Sequence, residues 1–311
     1  MKIAMVFPGQ GSQSVGMLKA YAGLPGVDET VAEARDALGD AFVKLLDEGP
    51  AEALGLTVNT QPAMVTAAVA AWRAWRALGG PEPVVVAGHS LGEFSALVAA
   101  GSISFKDCLP LVRFRAQSMQ DAVPEGVGAM AAILGLDDDL ARAACAESAQ
   151  GEVVQAVNFN APGQVVIAGH KTAVARAIEA CKAKGAKRAM ALPVSAPFHS
   201  SLLQPAANKL AGYLEKVSIA PTKFPLLHNV DVQPSGDAAA IRSALVRQAA
   251  SPVRWSDTIR AMAAQGVTHV LECGPGKVLA GMVKRIDGNL AGLALADKAS
   301  LEQALATVKG G

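Results

Sequence analysis

The sequence predicts an α/β protein in two parts, a larger unit on a parallel sheet and a small α+β unit set into it. Three observations carry this. Val84-Val85-Val86-Ala87 is a short β-branched run ending in Gly88-His89-Ser90-Leu91-Gly92, and it passes directly into a helix-forming stretch closed by Gly101. From residue 128 to 194 the pattern changes to strand, helix, strand, strand, helix, strand. After Pro197 the first texture resumes, with a late buried strand at residues 268–272. The larger unit, α/β-hydrolase-like with a parallel-sheet core, is expected over residues 1–126 and 196–311. The βαββαβ order of residues 127–195 is that of a ferredoxin-like unit, and a ligand cleft is expected between the two.

The elements follow in order. Residues 3–7 read as a buried strand stopped by Pro8. Residues 61–78 carry helical apolar spacing, with Pro62 placed in a first turn. A strand at 84–87 and a helix at 91–100 flank the Gly-x-Ser-x-Gly turn. A helix is expected near 107–122. Ser104-x-x-Asp107 resembles a capping box, but Pro110 conflicts with an uninterrupted helix from that cap, so the start is expected to be irregular or later. In the insertion, strands are expected at 128–136, 152–158, 164–168 and 187–194, and helices at 137–149 and 171–184. Asn160-Ala161-Pro162-Gly163 marks a turn.

Composition narrows the class. With 311 residues and 51% hydrophobic content the chain can bury a substantial core. A formal charge of +1 gives no global drive toward nucleic acid or anionic membranes, and neither is expected as a partner. The four cysteines, Cys108, Cys145, Cys181 and Cys273, form no CxxC pair and suit a reducing cytoplasm. The N-terminal apolar run is too short for a signal segment, and no stretch approaches the roughly 20 apolar residues of a membrane span. The expected location is cytoplasmic.

The chemistry starts at Ser90. A strand before the turn and a helix after it are the context of a nucleophile elbow. The serine stands at the apex, and the helix directs amides and its positive dipole end toward it. Gly88 and Gly92 are needed where strand and helix backbones approach. A serine nucleophile needs a base, usually histidine. His89 is better placed to shape the turn, and His269 lies inside a strand. His170 and His228 sit at strand ends and remain open. His199 lies in Ser195-Ala196-Pro197-Phe198-His199-Ser200, a stiff loop at the edge of the insertion. No aspartate stands out as a third triad member. The loop Gly9-Gln10-Gly11-Ser12-Gln13-Ser14 fails as a dinucleotide fingerprint, because Ser14 takes the last glycine position. Gly274-Pro275-Gly276-Lys277 is no P-loop, and no His/Cys cluster has metal-ligand spacing. Lys182, Lys184, Lys187 and Arg188 read as a solvated helix end, or as a patch that steers an acidic partner.

Several motifs, in order along nearly the whole chain, resemble those of malonyl-CoA:acyl-carrier-protein transacylases and the related acyltransferase domains of fatty-acid and polyketide synthases. They are Phe7-Pro8-Gly9-Gln10-Gly11-Ser12-Gln13, Gly88-His89-Ser90-Leu91-Gly92-Glu93, Arg113-Phe114-Arg115 with Met119-Gln120, Gly128-Ala129-Met130, Asn158-Phe159-Asn160-x-Pro162-Gly163-Gln164, Ser195-x-Pro197-x-His199-Ser200, Ser251-Pro252-Val253-Arg254-Trp255 and Glu272-x-Gly274-Pro275. The resemblance implies Ser90 as nucleophile and His199 as its base. It implies that Arg115 holds the malonyl carboxylate, a task suited to a planar fork. It implies an oxyanion hole from the Gln10 loop and the Leu91 amide. A main-chain carbonyl in place of a triad acid would orient His199, with Gln248 or Ser251 in that position. Asn160 would brace the cleft wall, and Phe198 would stand against a branched acyl group. The implied substrates are malonyl-CoA and the phosphopantetheine thiol of acyl carrier protein, with no cofactor or metal of the enzyme's own. A serine thioesterase or esterase and a non-catalytic carrier-docking module are the alternatives. With an unperturbed histidine base, activity is expected to rise with pH through the ordinary histidine range.

Overall fold

A computed structural model describes residues 1–194, 196–234 and 236–310. Nine strands are described: β1 Ile3–Phe7, β2 Val85–Gly88, β3 Gly128–Leu134, β4 Val154–Ala161, β5 Gln164–His170, β6 Arg188–Ala191, β7 Leu226–Leu227, β8 His269–Cys273 and β9 Ala291–Leu295. The α-helices are α1 Val27–Leu38, α2 Asp40–Glu48, α3 Ala51–Gly55, α4 Thr57–Ala77, α5 Gly92–Ala99, α6 Phe105–Asp121, α7 Asp138–Ser148, α8 Lys171–Ala183, α9 Gln204–Leu214, α10 Ala238–Ala249, α11 Trp255–Ala264, α12 Val278–Ile286 and α13 Lys298–Gly310.

Two separate sheets result. The first has the order β7-β2-β1-β8-β9 with every pairing parallel. Its central strand β1 is buried at all five positions, as a strand covered on both faces must be. Met5 and Phe7 pack into one core cluster, while Ala4 and Val6 pack into the other. The second sheet has the order β4-β5-β3-β6 with every pairing antiparallel, and α7 and α8 pack against it. Pro162-Gly163 joins β4 to β5, with Gly163 at φ 68°. The fold is therefore mixed α/β, with a parallel-sheet core and a separate antiparallel sheet.

The antiparallel sheet is tied along β4 to the segment before α11, whose Val253 shares a core cluster with Ala4 and Val6 of β1. Phe159 N donates to the Val253 carbonyl (3.0 Å) and Val253 N to the Val157 carbonyl (2.8 Å). The same strand receives Ser201 N on the Gln155 Oε1 (2.8 Å).

Three expectations need correction. Helix α4 begins at Thr57, so Pro62 is its sixth residue and not part of a first turn. The polar start is anchored by side chains, with Thr60 Oγ1 donating to Leu54 O (2.6 Å) and Asn59 Nδ2 to Ala53 O (2.9 Å). Apolar periodicity cannot register such a start. Helix α6 runs from its Ser104 cap straight through Pro110, again at the sixth position. Ser104 caps it as expected, with Asp107 N donating to Ser104 Oγ (3.1 Å) and that hydroxyl donating to Asp107 Oδ2 (2.6 Å), which holds the first turn in place. Strand β6 is confined to four residues, because only Ala131–Leu134 of β3 pair with it. Ser195, the first residue of its motif and the last of the expected insertion, lies outside the described residues.

Candidate active site

Ser90 sits between β2 and α5 at φ 51°, a left-handed conformation that costs a non-glycine residue about 1–3 kcal/mol. The packing enforces it. A Cβ on Gly88 would collide with the backbone of Gly92, and one on Gly92 would collide with the Phe7 carbonyl at the end of β1. The elbow is thus pressed against the neighbouring strand as well as folded on itself.

His199 also has a left-handed backbone, φ 65°, in the loop entering α9. Its Nε2 lies 2.6 Å from Ser90 Oγ and its Nδ1 lies 2.9 Å from the Gln248 carbonyl near the end of α10. The Nδ1–H therefore donates to that carbonyl and Nε2 is left to accept from the serine. Ser251, the other position considered for orienting the ring, has its amide 3.5 Å from the same Gln248 carbonyl. Burial, then the neighbouring Arg115 charge, push the His199 pKa down to about 3.

Arg115 projects from α6 and is only 2% exposed. Its Nη1 donates to Gln61 Oε1 (2.9 Å), and its Nη2 donates to Gln248 Oε1 (2.9 Å) and Ser90 Oγ (3.2 Å). Its Nε has no partner among the described residues. The guanidinium lies over the Phe94 ring, 5.3 Å from the centroid. Among the described residues it forms no salt bridge. Burial lowers its pKa to about 10, and Glu93 opposes that fall. Arg113 lies over Phe42 at 5.6 Å and is half-buried.

The amides of Gln10 and Leu91 have no acceptor among the described residues. Leu91 is the N-cap of α5, and Gln10 lies in the loop after β1. The Gln10 side chain is held by Thr57 Oγ1 (2.9 Å) and Gln61 Nε2 (3.1 Å). With Ser90, Arg115 and His199, Gln10 lines a cavity of about 190 Å³. The antiparallel sheet supplies its far wall through Met130, Asn158 and Val166. Phe198 lines the same cavity. A larger groove of about 670 Å³ lies between α7, β4 and α11 and contains none of these groups except Ser251.

The rival histidines have other partners, although His89 also lines this cavity. His89 packs on Trp255 and pairs through Nε2 with Asn160 Oδ1 (2.8 Å), which braces the elbow against the β4 wall. His170 accepts from Val153 N (2.9 Å), and His269 pairs with Thr268 Oγ1 (2.9 Å). His228 Nδ1 lies 2.6 Å from Glu93 Oε1. In the basic run, Lys182 pairs with Glu179 and Lys184 with Glu147, each at 2.8 Å.

Sequence reasoning missed three buried residues. Asn229 accepts from Ser90 N (2.7 Å) and donates to Gly88 O (2.6 Å), clamping both sides of the turn. It reaches there because β7, which it follows, is the parallel neighbour of β2. Glu93 accepts from Asn229 N (3.1 Å) and Gln248 Nε2 (2.9 Å). Gln61 holds Arg115 and Gln10. Each is a polar residue inside a buried apolar run, and that was the signal available.

A hydroxyl with a neutral base, free amides beside it and a caged cation opposite can be acylated, stabilise an oxyanion and hold an acid-bearing acyl group. That is the equipment of a serine acyl-transfer enzyme. The comparisons agree. The model of the acyl transferase domain family matches residues 4–293, and the chain belongs to that family. It is 57% identical to the malonyl CoA-acyl carrier protein transacylase of Salmonella typhimurium, over 98% of this chain and 99% of the relative. A crystal structure of an acyl-carrier-protein S-malonyltransferase from Burkholderia pseudomallei is 63% identical, with TM-score 0.96 over 98% of this chain and 99% of the other. A third, 53% identical with TM-score 0.97 over 99% and 100%, is described as a type II PKS acyl-carrier protein in complex with its malonyl-transacylase.

No helix among the described residues is long and apolar enough to cross a membrane. No group of three or more His, Cys, Asp or Glu among them could hold a metal ion.

Proposed function

We propose that this enzyme transfers the malonyl group from malonyl-CoA to the phosphopantetheine thiol of an acyl carrier protein, supplying extender units for fatty-acid synthesis. One observation carries the reading: a buried arginine with only neutral partners, 3.2 Å from the nucleophile. A simple hydrolase has no use for such a group. The curated relatives of the same length carry the same activity in their names.

His199 Nε2 takes the Ser90 proton while Oγ attacks the thioester carbonyl. The amides of Gln10 and Leu91 stabilise the oxyanion, contributing on the order of 3 kcal/mol each. The C–S bond breaks, and CoA leaves as the thiol with the proton from His199. Malonyl-Ser90 then rests its carboxylate on Arg115. The carrier thiol gives its proton to His199, attacks the ester and releases Ser90, which recovers the proton. The Gln248 carbonyl holds the imidazole throughout and takes the place of a triad carboxylate. The thioester brings its own activated acyl group, so this chemistry calls on no cofactor of the enzyme's own. A cytoplasmic location is consistent with it, and the four free, buried cysteines suit a reducing compartment.

We read residues 1–126 and 196–311 as an α/β-hydrolase-like catalytic domain and 127–195 as an inserted ferredoxin-like domain. The βαββαβ order and the β4-β5-β3-β6 arrangement support the second assignment. The test is incubation with malonyl-CoA and acetyl-CoA, with and without holo carrier protein, followed by intact-mass measurement of both proteins. A malonyl adduct on the enzyme that moves to the carrier is the expected result. Release of free acid alone would mean an esterase, and no adduct would mean a docking module.

A further inference from the structure

Arg115 keeps its charge without touching an anion. Its acceptors Gln61, Gln248 and Ser90 are all neutral. Glu93, on α5, is fully buried and also lacks a cationic lysine or arginine partner among the described residues. One side-chain amide stands between them. Gln248 accepts from Arg115 Nη2 on Oε1 (2.9 Å) and donates from Nε2 to Glu93 Oε2 (2.9 Å). The second Nε2 proton goes to the Ser90 carbonyl (2.9 Å). Both groups that face this nitrogen are acceptors, so the amide has one orientation, with its oxygen toward the guanidinium.

We propose that Glu93 is a positioning residue, a counter-charge held one amide away from Arg115, so that the cation is balanced while its fork stays open to a substrate carboxylate. The inference rests on the malonyl-transfer reading and deepens it. Direct contact would give a tight charge-assisted pair that the substrate would have to displace. No anion at all would leave a buried charge uncompensated. The interposed amide avoids both. The other groups facing Glu93 fit this role. His228 meets Oε1 at 2.6 Å, and the Asn229 amide meets Oε2 at 3.1 Å. They fix the carboxylate without adding a second carboxylate to the site. His199, whose Nε2 meets Ser90 Oγ, is a titratable ring that feels the Arg115 charge.

The test measures rates of acyl-enzyme formation from malonyl-CoA and acetyl-CoA and reads their ratio. Glu93→Gln keeps the shape and an acceptor for Asn229 and Gln248 but removes the charge. Its malonyl-to-acetyl ratio should rise about threefold or more, as an uncompensated Arg115 draws the carboxylate harder. Glu93→Gln combined with Gln248→Glu moves the anion into contact with Arg115 at constant net charge. Its ratio should fall about a hundredfold. If Glu93 only fills space and completes hydrogen bonds, both rates of Glu93→Gln change together and its ratio stays at the wild-type value, which overturns the proposal. Should the single variant not fold, Gln248→Glu alone is compared with the double variant: a lower ratio with Glu93 present supports the charge role, and equal ratios overturn it. A wild-type protein that loads no malonyl group would overturn the functional reading instead. Wild-type loading with an unchanged ratio in Glu93→Gln overturns this inference only.

Discussion

The two sides of Ser90 are built on opposite rules. Behind it, Asn229, Glu93, His228 and the Gln248 amide are buried and joined by hydrogen bonds of 2.6–3.1 Å. In front, the amides of Gln10 and Leu91 have no acceptor and Arg115 Nε no partner among the described residues, and the His199 pKa is driven down. The back fixes geometry, and the front keeps unsatisfied capacity for a reacting molecule. Polar groups are expensive to bury in both places, so the difference locates the side on which a ligand completes the protein.

The comparison can be broken most severely at its centre. Ser90→Ala should abolish the acyl-enzyme and lower transfer by at least about 10⁴-fold while the circular dichroism stays native. Malonyl transfer well above background from that protein would rule out the mechanism.

Next comes the base. His199→Ala should lower malonyl loading by about 10²–10⁴-fold. The structure also replaces the pH limb expected from an unperturbed histidine. With a pKa of about 3, His199 is already neutral at pH 6, so single-turnover loading should show no histidine limb between pH 5 and 8. The stability consequence has a definite sign. The folded value is depressed below the ordinary 6.5, so His199 contributes stability above pH 6.5, and that is lost as pH falls toward 3. The slope is at most about 1.4 kcal/mol per pH unit. Urea midpoints from pH 7 to 4, compared with those of His199→Gln, measure it; equal slopes would refute it.

The front is sharpened by Arg115→Ala. Malonyl loading should fall about a hundredfold while acetyl loading is spared or improved, and Arg115→Lys should recover only part of it. Equal losses for both acyl groups would make the residue structural. The back gives the smallest effect. Asn229→Ala leaves the Ser90 amide and Gly88 carbonyl without their partner, which should cost about 1–3 kcal/mol in chemical denaturation. A variant as stable as wild type would show that the clamp does nothing for the fold.

What could be read beforehand divides along the same line. Ser90 was legible because an elbow imposes glycines at fixed offsets around the nucleophile. His199 was one histidine among five until neighbouring motifs were considered, since a base is brought to its serine by tertiary folding, here across 109 positions. Glu93, Asn229 and Gln61 escaped because a buried polar side chain leaves no periodic trace; only its partners reveal its task. The helix starts at Thr57 and Ser104 show a milder form of the same limit. Local hydrogen bonds carried both helices past prolines that propensity alone counts against them.

The left-handed backbones at Ser90 and His199 put stability and activity in direct conflict at two known positions. Glycine at either site would relax the strain and remove the chemistry. A library screened only for heat resistance would therefore enrich inactive proteins at these two codons. Any thermostabilising programme for this fold has to hold them fixed and seek its gains elsewhere.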